Sequence, residues 1–223
     1  MIRRLRNDTG FLALSGAFFG SLLLSSCAGP QVAVNPRADF SRIHRIAVTA
    51  FSGSGGEAAG DMLGQELLAR GADIVERQRL EAVLRERSLS AEGILDPSTV
   101  KQVGKILGVD AIIVGTVTNY SPGQSYLVYS GGAGTLVGAT VTPIAGRSVY
   151  SQGPAGGIPG SDVVTSAASV GLVARMVDVE TGSVLWSARM TYEGFDVDTA
   201  MSEVSRSFAD SLVPIWPILR PLK

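Results

Sequence analysis

The chain has 223 residues, 45% of them hydrophobic, and a formal net charge of −1. This composition is sufficient for a packed core, and because no block of basic residues occurs we expect no nucleic-acid partner. The single cysteine excludes a disulfide within the chain.

The N-terminal segment has the order of features found in a secretory signal. Three arginines lie within the first six residues, and an uncharged apolar run follows at 11–24. This run is shorter than the roughly 20 residues of a membrane-spanning helix, but it fits the apolar region of a signal peptide.

The only cysteine, Cys27, directly follows that run. The sequence from Leu24 to Cys27, LSSC, resembles the lipobox of bacterial lipoproteins, with an aliphatic residue and two small residues before the cysteine. The resemblance implies that residues 1–26 are a signal peptide and that Cys27 carries lipid. Ala28 replaces the aspartate that retains lipoproteins at the inner membrane, which implies anchoring at the periplasmic face of the outer membrane. The alternative is a buried free cysteine in an ordinary helix.

The first half of the chain alternates predicted strands and helices. Residues 27–41 contain prolines and no periodicity, which predicts an irregular lipidated tether. A β-branched run predicts a strand at 43–51, and apolar residues at helical spacing predict a helix at 57–70 that ends at Gly71. A short strand is predicted at 73–75.

Two amphipathic helices and a buried strand are predicted next. The helices lie at 77–87 and from Pro97 to Leu107, and Gly108 ends the second one. Residues 111–119, AIIVGTVTN, form a nearly continuous apolar run, which is typical of a central strand that is buried on both faces.

The segment 121–169 differs in composition from the rest of the chain. It contains ten glycines and only two charged residues, Arg147 and Asp162. After this segment we predict strands at 171–179 and 183–192, which are joined by a turn and therefore form a hairpin. A closing helix is predicted at 198–213, and the Pro-rich tail 214–223 is predicted to be irregular.

These elements predict an α/β (α+β) domain at 42–213, in which helices flank a mixed β-sheet. The Gly-rich segment is an excursion between two core strands.

A glycine-rich turn at 53–58 matches the pattern G-x-G-x-x-A between a strand and a helix, and Asp73 lies 20 residues further on. Such a turn can hold a pyrophosphate, with the acid on a ribose. However, Asp73 begins the second strand, whereas a ribose-binding acid lies at the end of that strand. We therefore favour a plain turn, with no cofactor and no small-molecule substrate.

His44 is the only histidine, and no cluster of His, Cys and carboxylate residues has metal-ligand spacing. A Ser-His-acid triad would have to use His44, but the chain has no G-x-S-x-G motif. We therefore predict a protein without catalytic residues or a bound metal.

Three stretches together resemble the CsgG/HfaB family of outer-membrane lipoproteins, which act in curli secretion and holdfast anchoring. They are Ile74 to Arg87, Val103 to Val117 and Val177 to Trp186. The resemblance implies a non-enzymatic role and either self-association or an envelope protein partner. The same arrangement of elements is similar to that of lipoprotein activators of penicillin-binding proteins, so the fold alone does not decide function.

The chain departs from the curli channel in two places. The long pore-narrowing loop after the first strand is replaced by residues 52–56, and the second membrane hairpin of the channel has no equivalent after the strand 183–192. The first hairpin falls on 121–169, for which three interpretations remain. They are a flexible loop, which we favour, a membrane hairpin at 124–151, and a loop that contacts a partner through Tyr126, Tyr129 and Tyr150.

Overall fold

The computed structural model describes residues 29–75, 97–129, 149–154 and 161–222, together with positions 80 and 82. In chain order the elements are β1 (Gln31–Val34), a 3-10 helix (Phe40–Arg42), β2 (Arg45–Val48), α1 (Gly56–Ala69), β3 (Asp73–Val75), α2 (Pro97–Leu107), β4 (Ala111–Ser121), β5 (Ser125–Tyr129), β6 (Val149–Pro154), β7 (Ser161–Ser166), β8 (Ala168–Asp178), β9 (Val184–Gly194) and α3 (Val197–Leu212).

Six strands form the main sheet, in the order β1-β9-β8-β4-β2-β3. Strand β2 pairs in parallel with both β3 and β4, while β4, β8, β9 and β1 pair in antiparallel fashion. The predicted mixed sheet is therefore confirmed. The predicted apolar run occupies its centre, because the first four residues of β4 are buried.

Helices α1 and α3 cover one face of the main sheet, and α2 covers part of the other face. The α3 stripe is buried as its spacing predicts, and the Phe208 ring lies edge-on to Trp186 with centroids 5.9 Å apart. On the other face, Val103 and Leu107 of α2 pack with Ile112 and other strand residues. Within the described part of the chain, no helix has both the length and the apolar character to span a membrane.

The ends of the helices follow the sequence signals. Gly71 and Gly108 have φ angles of +99° and +64° just after α1 and α2, the left-handed conformation that glycine adopts at little cost. The Asp196 side chain caps α3 by accepting a hydrogen bond from the Thr199 amide at 2.7 Å. This hydrogen bond holds the pKa of Asp196 below its ordinary value. The predicted helix at 77–87 lies mostly outside the described residues, although Leu80 is helical and buried.

The terminal segments are more ordered than the sequence predicts. The predicted tether 27–41 contains β1, which pairs with β9, and the buried Phe40. Strand β1 has no alternation to detect, because all four of its residues are exposed and backbone pairing with β9 holds it. The tail is irregular, as expected, but the buried Trp216 donates a hydrogen bond from Nε1 to the Ile43 carbonyl at 2.8 Å. The tail is thus part of the core.

The Gly-rich segment 121–169 contains a second, three-stranded sheet in the order β5-β7-β6, with all pairs antiparallel. The favoured interpretation as a flexible loop is therefore wrong for the described residues of this segment. Residues 130–148 and 155–160 lie outside the described part. Glycines and serines weaken the side-chain alternation by which strands are recognised, but they leave the backbone free to form a ladder.

Candidate membrane-facing and assembly site

The two sheets meet at one end of the main sheet. We name this the junction end and define it by Ser121, Ala168 and Gly194, where β4 ends, β8 begins and β9 ends. The central strands β4 and β8 pair as far as Ser121 and Ser169, with a register shift between Val117 and Asn119. The same two chain segments then continue as β5 and β7, so the second sheet is a continuation of the central strands of the main sheet.

Polar side chains hold the junction together. The Gln124 amide donates to Ser166 Oγ at 3.0 Å, and the Ser166 amide donates back to the Gln124 carbonyl at 2.9 Å. The hydroxyls of Ser125 and Thr165 lie 2.9 Å apart. Because Thr165 and Ser166 are buried, these hydrogen bonds satisfy polar groups that would otherwise lose contact with water. Specific hydrogen bonds therefore hold together the two chain segments that connect the main sheet to the second sheet.

The structure brings the three predicted contact tyrosines into the second sheet. The backbone of Tyr126 pairs with Val164 and that of Tyr129 with Ser161, both between β5 and β7. Tyr150 in β6 pairs with Thr165 of the same central strand. The tyrosines predicted from separate parts of the chain thus belong to one sheet beyond the junction end.

Three further aromatic residues lie at the junction end, and the sequence analysis missed them. Tyr120 is 41% exposed, Phe195 is 59% exposed, and Tyr192 is also exposed. Tyr120 and Tyr192 flank Val170 in register across three strands, on the face that α1 and α3 cover. Their signal in the sequence is an aromatic residue near the end of a predicted strand.

The lipid-attachment candidate Cys27 lies outside the described residues, but the chain after it is described. Gly29 borders the same cleft as Thr191, close to the junction end. Gln31 at the start of β1 pairs with Arg189, and the Arg189 side chain donates to Gln31 Oε1 at 2.7 Å. From there β9 runs on towards the junction end, so the N-terminal segment enters the domain near that end.

The glycine-rich turn has a structural explanation. Gly53 and Gly55 have φ angles of +97° and +74°, and the Gly56 amide donates to the Gly53 carbonyl at 3.1 Å. Asp73 pairs with Arg45 at the opposite end of β2 from the turn. The structure therefore does not bring Asp73 and the turn into one site.

The other titratable residues of the sequence analysis do not converge on a reacting centre. His44 precedes β2 and is exposed, and its backbone amide donates to Asp110 Oδ2 at 2.8 Å. Among the described residues, no group of three or more His, Cys, Asp or Glu side chains is placed to hold a metal ion.

Over the half of the main sheet nearer the junction end, no described helix covers the face opposite α1 and α3. We name this the open sheet face; it comprises Thr116, Thr118, Val173, Arg175, Arg189 and Thr191. Part of it lines a cleft of about 510 Å³. Thr116, Thr118, Arg189 and Thr191 are exposed, and Val173 and Arg175 are half-buried. A polar, partly basic sheet surface of this kind is suited to contacts with another protein.

The described residues form an α/β protein in which helices pack on both faces of a mixed sheet. The family model of the curli production assembly/transport component CsgG matches residues 30–205, and the chain therefore belongs to the CsgG family. A comparison with curated proteins found no match.

Comparison with solved structures found several similar chains. A variant PelC dodecamer from Paraburkholderia phytofirmans is 18% identical, with a TM-score of 0.43, and the match covers 84% of this chain and 98% of that one. Lipoprotein GNA1162 from Neisseria meningitidis is 15% identical, with a TM-score of 0.41 and coverage of 76% and 94%. The LpoB C-terminal domain from Salmonella enterica is 12% identical, with a TM-score of 0.39 and coverage of 71% and 87%.

Proposed function

We propose that this protein is a lipid-anchored component of the outer membrane that supports secretion, assembly or anchoring of surface material. It does so without catalysis, by self-association and by binding envelope protein partners. The observation that carries the proposal is the match to an assembly/transport family over residues 30–205. The N-terminal segment enters the domain near the junction end, which also supports the proposal, because a lipid there would hold that end of the domain at a membrane.

The anchor in this proposal is Cys27, acylated after removal of residues 1–26. The order of arginines, apolar run, small residues and cysteine supports it. One acyl chain binds a membrane only marginally, whereas two or three chains hold a protein firmly. Ala28 after the cysteine supports transfer to the outer membrane, with the domain on the periplasmic side.

Chain length limits how the anchored domain is oriented. Cys27 lies four residues before Gln31, so an extended chain places it at most about 14 Å away. Gln31 is level with Arg189, and β9 continues five residues to Gly194, which is about 17 Å at 3.4 Å per residue. A lipid on Cys27 therefore favours an orientation in which the junction end faces the membrane.

In that orientation the second sheet lies at the membrane surface. Tyrosine side chains are favoured at membrane interfaces, because the ring prefers an apolar environment and the hydroxyl prefers water. We propose that Tyr126, Tyr129 and Tyr150 contact lipid head groups, with Tyr120 and Phe195 close behind them at the junction end. A protein partner that occupies the same tyrosines is the competing outcome.

The anchor is tested with Cys27→Ser in the full chain. We expect no incorporation of labelled fatty acid and an unprocessed precursor, since both steps need the cysteine. Ser26→Ala is a matched control, because it keeps a small residue before the cysteine, and it should be labelled like the parent. Equal labelling of Cys27→Ser and the parent would sink the proposed anchor.

Self-association is tested by measuring the mass of the detergent-extracted lipoprotein. A defined assembly of several subunits supports the proposal. A monomer at all concentrations would contradict self-association and would favour action on a separate envelope protein, such as a peptidoglycan synthase.

A further inference from the structure

Strand β1 forms one edge of the main sheet. It pairs with β9 on one side, and no described strand lies on its other side. Sheet edges are usually shielded by a lysine, a proline, a bulge or a covering segment. Strand β1 reads Gln-Val-Ala-Val, all its residues are exposed, and its register with β9 has no shift. Within the described part of the chain, this edge therefore has none of those forms of protection.

The backbone groups of Val32 and Val34 point away from β9. The Asn35 amide donates to the Leu185 carbonyl at 2.9 Å, so these two residues form a hydrogen-bonded pair. Hydrogen-bonded and non-hydrogen-bonded pairs alternate along an antiparallel ladder, which makes the positions of Val34 and Val32 the pairs without mutual hydrogen bonds. Both valines therefore direct their amide and carbonyl groups towards the open side of the edge.

The surroundings of this edge differ between the two faces of the sheet. Val32 and Val34 are each 40% exposed and lie on the face that α3 covers, where Val34 pairs with the buried Trp186. On the other face a cleft of about 320 Å³ runs beside β1 and is lined in part by Ala33 and Ser187. An added strand would thus find apolar contacts on one face and room for longer side chains on the other.

Arg189 places a positive charge beside the same edge. Its Nε donates to Gln31 Oε1 at 2.7 Å, so the guanidinium lies towards β1 and not towards the centre of the sheet. Arg189 is exposed, and the other N–H groups of its guanidinium can therefore reach a carboxylate beside Gln31. Strand β1 contains no carboxylate, so β1 of a second copy would leave this charge unpaired.

We propose that β1 binds an extended, acid-bearing segment of another envelope protein, which adds to the main sheet as an antiparallel strand. The outward amides and carbonyls of Val32 and Val34 bond to the backbone of the segment, and apolar side chains pack beside the two valines. A carboxylate beside Gln31 meets Arg189. This inference rests on the partner binding in the proposed function and names a surface for it. The edge is short, which suits a linear segment.

The test uses a fluorescently labelled peptide, Glu-Val-Thr-Val-Glu, titrated against the full lipidated chain in detergent and followed by anisotropy. Its valines oppose Val32 and Val34, and its last glutamate lies beside Gln31. We expect saturable binding, which Arg189→Ala weakens about threefold, because an exposed ion pair is lost. Arg220→Ala is the matched control; it removes an exposed arginine of the C-terminal tail and should bind the peptide like the parent.

A proline tests the outward backbone groups. Val34→Pro removes an amide that points away from β9, so it should keep the fold but weaken peptide binding at least about tenfold. Val34→Thr keeps that amide and a β-branched side chain, and it should bind within about twofold of the parent. Circular dichroism checks that both variants are folded.

N-methylated peptides give the same test without changing the protein. In the proposed register the amides of the two peptide valines point towards β1, whereas the threonine amide points away from it. A peptide methylated on both valine nitrogens should not bind. A peptide methylated on the threonine nitrogen should bind like the unmodified one.

The outcomes separate this inference from the proposal beneath it. Absence of saturable binding to the folded parent overturns the docking edge, while acyl labelling and the mass of the assembly still decide the anchor and self-association. Unchanged binding by folded Val34→Pro, or by the peptide methylated on both valines, also overturns it. Equal binding of Lys-Val-Thr-Val-Lys would contradict the role of Arg189. A lower mass of the assembly in Val34→Pro would show that the edge pairs with a second copy, which overturns binding of a separate partner there.

Discussion

Gly56, the first residue of α1, lies where the helix passes closest to the chain that leads out of β2. An ideal Cβ at Gly56 would be 1.7 Å from the Phe51 carbonyl oxygen, a distance that no real contact allows. The glycines that resemble a phosphate-binding loop are therefore explained by local packing. The same glycine pattern can form a tight turn or a ligand-binding loop, and only the surrounding backbone distinguishes the two.

Gly56→Ala should lower the free energy of unfolding by about 1–3 kcal/mol, because the backbone of Phe51 has to shift. Gly64 in the same helix is the matched control, since an added Cβ there meets nothing within 4 Å. Gly64→Ala should instead stabilise the protein by about 0.5–1 kcal/mol, as alanine favours a helix interior. Urea denaturation followed by circular dichroism measures both. Equal effects of the two substitutions would contradict this account of the turn.

A buried charged residue links helices α1 and α3, and no sequence pattern indicates that it is buried. Arg70 at the end of α1 is 1% exposed, and it donates from Nε and Nη2 to Asp210 Oδ1 of α3 at 3.1 and 2.6 Å. It also donates to the carbonyl of Glu66 and to its carboxylate. Burial lowers the pKa of Arg70, but the hydrogen bonds to Glu66 and Asp210 raise it by more. The guanidinium therefore stays charged inside the domain.

Arg70→Met should destabilise the domain by about 1–3 kcal/mol, because it fills the space but leaves the Glu66 carbonyl and two carboxylates without their donor. The estimate is below that for a fully buried pair, since Asp210 is 55% exposed and water partly replaces the lost contact. Arg42→Met is the control; it removes an exposed pair with Glu180 and should change stability by less than about 0.5 kcal/mol. Comparable losses of stability in the two variants would show that burial of Arg70 does not increase the contribution of its ion pairs.

Strands and helices that bury a regular pattern of apolar residues were predicted from the sequence. The apolar run of β4 and the stripe of α3 at Met201, Val204 and Phe208 occur where their periodicity places them. Strand β1 was missed because its residues are exposed on both faces and its stability comes from backbone pairing with β9. Trp216 was missed for a related reason, since an irregular tail shows no period even where it enters the core.

At the scale of the whole molecule, the sequence predicted the fold class but only part of the candidate site. It identified Cys27 and the three tyrosines as separate features. It did not predict that the tyrosine-bearing strands continue β4 and β8 beyond the junction end, because that depends on pairing between residues far apart in the chain.

Deleting the second sheet tests whether the main sheet and its helices fold without it. Residues 122–167 are replaced by a short Gly-Ser turn, so that β4 and β8 form a hairpin through the Ser121 and Ser169 pair. We expect cooperative melting within a few degrees of the parent, since the core of Trp186, Phe208 and the other buried residues lies in the main sheet and its helices. The lipidated variant should still reach the membrane but lose function in complementation, because the surface that we propose to face the membrane is gone. A variant that does not fold would mean that the second sheet belongs to the core, and full complementation would mean that its strands have no part in the function.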